Sequence, residues 1–351
     1  IHTMKINAII TKAVCAAALF ATASCNSLIY DYEGDCDPHY KARFVFDMNL
    51  HWADAFPHEV NAVTLYLIDP ATGDIVWQKS ESGEALKTGE YMMDLDVDPG
   101  QYRLMAWCGE GVGEDFIVPD AEHHTGLTCT LKRDRIDGGP ASAVIRRDIK
   151  RLYHGAIRDE QGNLATQTFP DDEGTYIYTI PLIKDTNDVN IVLQHLSGKT
   201  IDKDDFTFTI TDCNGSMDWD NSLLDDEMLT YYAHHKSAGT AGVGGGDSNP
   251  EGRAITSVSA CVAEHTVARL VKGQDMRVKI YNKRGETSVD IPLIDYALMV
   301  KSAHYADISD QEFLDRQDKY DMVFFLDEDG NWQTAHIYIL SWKIVIQNTD
   351  L

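Results

Sequence analysis

The chain has 351 residues, is 44% hydrophobic and 9% aromatic, and carries a net charge of −26. That apolar content excludes a disordered chain and is ample for packed cores, and the length suggests two or three domains. So acidic a surface repels nucleic acid and anionic headgroups, which disfavours both as partners.

Residues 1–24 read as a secretory signal. Met4 is taken as the start, Lys5 and Lys12 supply the positive region, and an apolar run covers Ala13 to Ala21. Nine apolar residues are far short of the roughly 20 that span hydrocarbon. Thr22, Ala23 and Ser24 are small and lead into Cys25, as in a bacterial lipoprotein signal, although Thr22 stands where such signals favour leucine. Cys25 is therefore the expected lipid attachment site, its thiol carrying a covalent diacylglyceryl or acyl chain. Loss of Lys5 and Lys12 with residues 1–24 leaves a net charge of −28. Residues 25–40 then form an acidic tether carrying Asp31, Glu33, Asp35 and Asp37.

Strand patterns of period two come next. Arg43–Met48, Val63–Ile68, Ile75–Gln78, Tyr91–Leu95 and Gln101–Trp107 alternate or run apolar, broken by turn sequences at Asp69–Asp74 and Asp98–Gly100. Turn signals at roughly 8–12-residue intervals predict a β-sandwich over 41–185. Near Asp185 the pattern restarts, with Val189–Leu193, Phe206–Thr211, Val258–Val271 and Met276–Tyr281 as strands of a second unit, 186–351. A glycine-rich stretch over 239–252 reads as a mobile loop. One short helix is expected after Ser309, whose spacing to Glu312 makes a capping box, with Phe313, Leu314 and Tyr320 at roughly helical spacing. Met322–Leu326, a turn over 327–331 and a strand pair over Ala335–Ile346 close the chain. No repeat of 20–50 residues is visible.

Catalytic patterns are missing. There is no nucleophile elbow, zincin helix, phosphate loop or dinucleotide fingerprint. The pairs His123-His124 and His234-His235 read as loop histidines, since neighbours on a strand point to opposite faces and cannot share a metal. Asp212, Asn214, Asp218 and Asp220 form an acidic hairpin that misses the EF-hand order and reads as an Asx-rich turn. Trp107, Trp219, Trp332 and Trp342 are candidates for a sugar-stacking platform, with core packing the simpler reading for Trp107 and Trp342. Arg146, Arg147, Lys150 and Arg151 form the one dense basic cluster, read as a solvated edge. Beyond Cys15 and Cys25, the cysteines Cys36, Cys108, Cys129, Cys213 and Cys261 are scattered and odd in number, leaving room for one or two disulfides of undetermined pairing. The reading is a non-enzyme with no cofactor and no metal.

The most distinctive text is VNIVLQHLSGKTIDKDDFTFTITDCNGSMDWDNSLLDDEMLTYY over 189–232, QEFLDRQDKYDMVFFL over 311–326 and IYILSWKIVIQNTDL over 337–351. DPGQYRLMAW over 98–107 and RLYHG over 151–155 add to it. Together these resemble the FimB/Mfa-type anchor and minor subunits of type V fimbriae in Bacteroides-like bacteria, from Cys25 to the C-terminus. The resemblance implies an all-β protein of two tandem transthyretin-like β-sandwich domains. It implies a surface lipoprotein of the outer membrane that attaches a fimbria to the cell and limits its length. Its partners would be the major or accessory fimbrial subunits, joined by strand addition, and the outer membrane, joined through the lipid on Cys25. Shaft subunits of such fimbriae lose their first strand by cleavage after a basic residue. Here Lys41 and Arg43 lie against or inside the first strand, so no activating cleavage is expected. The terminal strands, Arg43–Met48 and Ala335–Ile346, are candidates for the partner contact. A surface glycan binder and a fimbrial tip adhesin are the competing readings.

Overall fold

The structure, a computed structural model, describes residues 37–136, 143–195, 199–242, 257–301, 305–327, 332–339 and 342–347, without the side chains of 239–242, 257–259, 332–339 and 342–347. Up to residue 185 the strands are β1 (His39–Val45), β2 (Ala62–Ile68), β3 (Ile75–Ser82), β4 (Met93–Leu95), β5 (Gly100–Cys108), β6 (Phe116–Ile117), β7 (Cys129–Leu131), β8 (Asp134–Arg135), β9 (Ala143–Ile145), β10 (Tyr153–Ala156), β11 (Thr166–Phe169) and β12 (Thr175–Lys184). Beyond it lie β13 (Thr186–His195), β14 (Phe206–Asp212), β15 (Ser216–Met217), β16 (Leu229–Tyr232), β17 (His235–Gly242), β18 (Ser257–Ala268), β19 (Arg277–Asn282), β20 (Thr287–Pro292), β21 (Lys319–Leu326), β22 (Trp332–Ile339) and β23 (Trp342–Gln347). Helical segments are short: α1 (Phe56–Glu59), α2 (Leu293–Met299) and α3 (Asp310–Arg316). The chain is all-β, as expected.

Eight strands form the first sheet, in the order β3-β2-β5-β10-β12-β1-β4, with β11 paired to the start of β5. Its inner face carries Tyr40, Ala42 and Phe44 of β1, Leu65 and Leu67 of β2, and Leu104 and Ala106 of β5 around one core. The sheet curls enough that its two edges meet, and Lys79 Nζ on β3 donates to Asp94 O on β4 at 3.4 Å. On β2 and β5 the opposite face is buried as well. Tyr66, Ile68, Met105 and Trp107 enter a second, larger core shared with the strands after 185. That double burial explains the unbroken apolar runs of β2 and β5, where a half-exposed strand would alternate.

Two six-stranded sheets, β17-β18-β13-β21-β22-β23 and β20-β19-β14-β16-β9-β8, enclose the second core. In β13 the inward residues Val189, Ile191 and Leu193 alternate with partly exposed ones, and in β21 Tyr320, Met322, Phe324 and Leu326 do the same. Strands from before and after 185 pair twice, β9 with β16 in parallel and β7 with β15 antiparallel.

The capping signal at Ser309 places α3 correctly. Ser309 Oγ accepts from Glu312 N at 3.0 Å, but Glu312 turns to Arg316 instead of closing the box. A second helix of the latter half, α2, continues directly from β20 and was not expected from the sequence. Residues 239–242 of the glycine-rich stretch belong to β17, paired with Ser257–Ala260 of β18, so the loop read from 239 begins later; 243–252 lie outside the described residues. The turn over 328–331 lies outside them as well.

Gly109 closes β5 with φ +101°, and a Cβ there would stand 2.4 Å from the Arg151 carbonyl oxygen. Gly109→Ala therefore forces an L-residue into left-handed space and moves backbone. It should cost about 2 kcal/mol or more in urea denaturation, against little for the open, equally positive-φ Gly162→Ala beyond its φ cost.

Candidate functional site

In a protein without a catalytic set, exposed sheet edges are where backbone chemistry is left over. An edge strand offers unpaired N–H and C=O groups, and folded proteins normally blunt it by shortness, charge, proline or cover. Most edges here are blunted. β4 and β8 span three and two residues, β3 faces β4 and carries Lys79 and Glu81, and β20 carries Asp290 and ends in Pro292. Two edges of the second sheet are not. β17 is eight residues of mostly small side chains, and β23, Trp-Lys-Ile-Val-Ile-Gln, is six residues with a single charge. Among the described residues β23 pairs with β22 alone, in register from Thr334↔Gln347 to Ile339↔Trp342.

The other terminal strand is an edge only in part. β1 starts four residues before the expected Arg43 and lies between β12, parallel, and β4, antiparallel over Tyr40–Ala42. Lys41 pairs with Asp94 at 2.8 Å, which ties β1 to β4. β12 lines β1 as far as Val45 and β4 covers the other flank over Tyr40–Ala42 only, so Arg43–Val45 keep one flank outside the ladder and Phe46–Met48 lie beyond the strand.

The junction between β12 and β13 is a second polar centre. Asp185, fully buried, accepts from Asn221 Nδ2 at 2.9 Å and lies 3.7 Å from Arg269 Nε. Arg269 holds Asp315 of α3 through two hydrogen bonds, 2.9 and 2.8 Å, and donates to Asn221 O at 2.9 Å. Asn221 adopts φ +69°, which lets its loop bend into this cluster. Next door, Lys184 Nζ is 3.0 Å from Asp318 and 3.3 Å from Glu59, joining β12, the segment before β21 and α1. Arg316 donates to Asp47 O at 2.9 Å and lies 3.5 Å from the centroid of the Trp52 ring, itself in left-handed backbone geometry (φ +54°). Burial pushes the Asp185 carboxyl up to about 7 against the pull of Arg269. Burial also drives His154, whose Nε2 faces Trp219 O at 3.0 Å, down to about 3.

None of these junction residues stands out by motif. The signal available was their position, Lys184 and Asp185 interrupting two apolar strand runs, and it located the restart of the pattern but not the ion pairs.

The residues singled out from sequence fall in several places. Cys25, the tether over 25–36 and Cys36 lie outside the described residues. His123 and His124 sit in a loop and brace the β2–β3 turn, with His124 Nδ1 2.8 Å from Gly73 O and His124 edge-on to Trp219. His234 is half-buried beside Thr266 and Asp148. Asp220 accepts from Ser222 N as an Asx turn does, and Asp218 accepts from Trp219 N next to it. Asp212 caps Cys213 N, and Asn214 donates to the Ala268 and Arg269 carbonyls. Asn214 Oδ1 also accepts from the Tyr231 hydroxyl and Asp220 from that of Ser222, and among the described residues these side chains do not converge on one metal site. Trp107 is buried in the second core with Nε1 donating to Leu127 O at 3.1 Å, and Trp219 is half-buried. Trp332 and Trp342 lie in β22 and β23 with undescribed side chains. The basic cluster is pinned: Arg147 to Asp115 at 2.5 Å, Arg151 to Asp188 at 2.6 and 2.8 Å, and Arg146 over the Tyr232 ring. Cys108, Cys129, Cys213 and Cys261 are free thiols, so no disulfide joins any two of them.

With this geometry in place, the comparisons with known proteins decide the family. The model of the fimbrillin-A associated anchor proteins Mfa1 and Mfa2 matches residues 32–348. The chain belongs to the Mfa2 family. A candidate adhesin of Bacteroides thetaiotaomicron is 30% identical, with 90% of this chain and 100% of that one covered and a TM-score of 0.72. A second protein of the same organism, described as polysaccharide-binding, is 28% identical over 89% of this chain and 99% of its own, TM-score 0.71. The fimbrial anchor protein Mfa2 of Porphyromonas gingivalis shares the fold at 15% identity, covering 88% of this chain and 99% of its own, TM-score 0.61. A search of curated proteins gave no match. The Mfa2-family chain is therefore a fimbria-associated protein.

The junction generates a pH test. The folded state keeps the Asp185 proton up to about pH 7, whereas the unfolded chain releases it near 3.8, so this group makes stability fall as pH rises through that window. His154 acts oppositely, its contribution being lost as pH falls from about 6.5 towards 3. Asp185→Asn should remove the first slope and leave the second. The difference in unfolding free energy between variant and wild type, followed by urea denaturation from pH 4 to 8, should shift by a few kcal/mol in favour of the variant.

Proposed function

We propose that this Mfa2-family protein is a lipid-anchored fimbrial anchor or minor subunit of the outer membrane, held by acylated Cys25 and exposed at the cell surface. It would attach a type V fimbria to the cell and limit its length. The observation that carries the contact is the unblunted edge of β23, the last described strand, ready to be extended by a strand of a major or accessory fimbrial subunit. Main-chain bonds along that edge give affinity, and alternate side chains give specificity. His39 lies fourteen residues after Cys25, so the tether reaches at most about 50 Å from the lipid to β1. We further propose the division into two transthyretin-like units, 41–185 and 186–351, supported by the sheet each half contributes and bridged by β7–β15 and β9–β16.

Cys25→Ser should release the protein, and fimbriae with it, into the medium. Fractionation with electron microscopy of the filaments reads this, and a variant still held on the cell would overturn lipid anchoring through Cys25. The surface form should also keep β1. Phe44 and Ala42 are core residues, and Lys41 is engaged with Asp94, so a protease has no free loop there. N-terminal sequencing is expected to give no chain starting near residue 44, and finding one would make the protein a processed shaft-type subunit.

A second reading, a surface glycan binder, draws on the name of the polysaccharide-binding neighbour. It needs several exposed aromatics on one face. Among the described side chains Trp52 alone is a large exposed aromatic, at 54%, and Arg316 covers one side of its ring. A tip adhesin differs from an anchor only in position on the filament, which immunogold labelling separates.

A further inference from the structure

An anchor must bear tension, and the strand directions in this fold say how. We propose that the protein is a mechanical clamp, in which pairs of parallel strands place both sheets on the tether-to-filament path under shear; this rests on the anchoring reading above. The tether enters the first sheet at His39, the first residue of β1, and the chain leaves that sheet at Lys184, the last residue of β12. These two strands are adjacent and parallel, and His39 is level with Thr175 at the start of β12. Nine residues of rise separate Thr175 from Lys184, about 30 Å along the strands against about 5 Å across them. A pull between His39 and Lys184 therefore runs almost along the strand axis. It loads all seven register pairs from His39↔Thr175 to Val45↔Pro181 together, where a peeling pull would break them one after another.

The second sheet repeats the arrangement. The chain enters at Thr186, the start of β13, whose parallel neighbour β21 matches it over eight pairs, Asp188↔Lys319 to His195↔Leu326. The terminal strand exits at the other end. Gln347 is level with Thr334, Thr334 with Phe325, and Phe325 with Gln194. From Thr186 to the level of Gln194 is about 26 Å along the strands, and three strand spacings are about 14 Å across, so this load too is mainly shear. A partner strand laid along β23 would be pulled in the same sense. β4 adds a lock on the far side of β1 through Tyr40–Ala42 and the Lys41–Asp94 pair. An antiparallel hairpin joined to the tether at this point would put both attachment points at one end and unzip. The parallel placement of β1 beside β12 avoids that.

Forced unfolding reads the barrier along the pulled direction and not the equilibrium stability. The test is single-molecule force spectroscopy on the chain from residue 26, pulled first between its N- and C-termini. It is then pulled between the N-terminus and a handle inserted after Glu173, which lies at the same strand end as His39. Rupture of the first sheet, identified by the contour length it releases, should need roughly twofold or more force in the first geometry, because many ladder bonds must break at once. Equal forces in the two geometries would overturn the clamp. The two ideas fail separately: a cell that retains its fimbriae without Cys25 refutes the anchor and leaves the force ratio untouched.

Discussion

The rest of the structure depends on one wall of sheet being buried on both faces. Strands β2 and β5 present Leu65, Leu67 and Leu104 to one core and Tyr66, Met105 and Trp107 to another. Apolar surface removed from water on both sides stabilises by about 25 cal/mol per Å². It also couples the halves, because unfolding the first sheet would strip one side of the second core. Residues 116–152, early in the chain, complete that core through Phe116, Leu131, Ile145 and Leu152. The chain before 185 thus supplies both a barrel-like first sheet and part of the packing of the second core.

Polar groups finish what the wall begins. Lys184, Asp185, Arg269, Asp315, Asp318 and Arg316 all lie where β12 passes into β13 or close beside it. Buried charges gain little net stability over apolar residues, but removing one partner leaves the other uncompensated at considerable cost. Their effect is geometric: they admit one arrangement of the junction, with α1, α3 and the Asn221 loop all seated on it. A junction fixed in this way joins β12 to β13 without a slack linker.

The edges decide how such a protein can take a partner without aggregating. Curling brings β3 against β4, shortness limits β4 and β8, and Pro292 ends β20. The line of exposed backbone left at β23 is that of the last described strand, at the edge of its sheet.

Much of this was legible in the sequence. The alternation of β13, β14 and β21, the turns at Asp69 and Asp98, and the Ser309 cap all arise from local rules, since side-chain direction repeats every two residues and a capping hydroxyl needs only its own helix. The restart near Asp185 was readable because two charges interrupt apolar runs. The family was legible in the order of its motifs. The tertiary structure alone decided which strand is an edge, because pairing joins residues more than a hundred apart: β1 with β12, β13 with β21. It alone showed that the basic cluster is held by Asp115 and Asp188, and that α2 forms where packing of Leu293, Ile294 and Ala297 outweighs a weak local signal. Sequence by itself determined what each segment can become, since propensity and period are local. Which backbone groups remain unpaired depends on every strand at once, and only the folded chain could settle it.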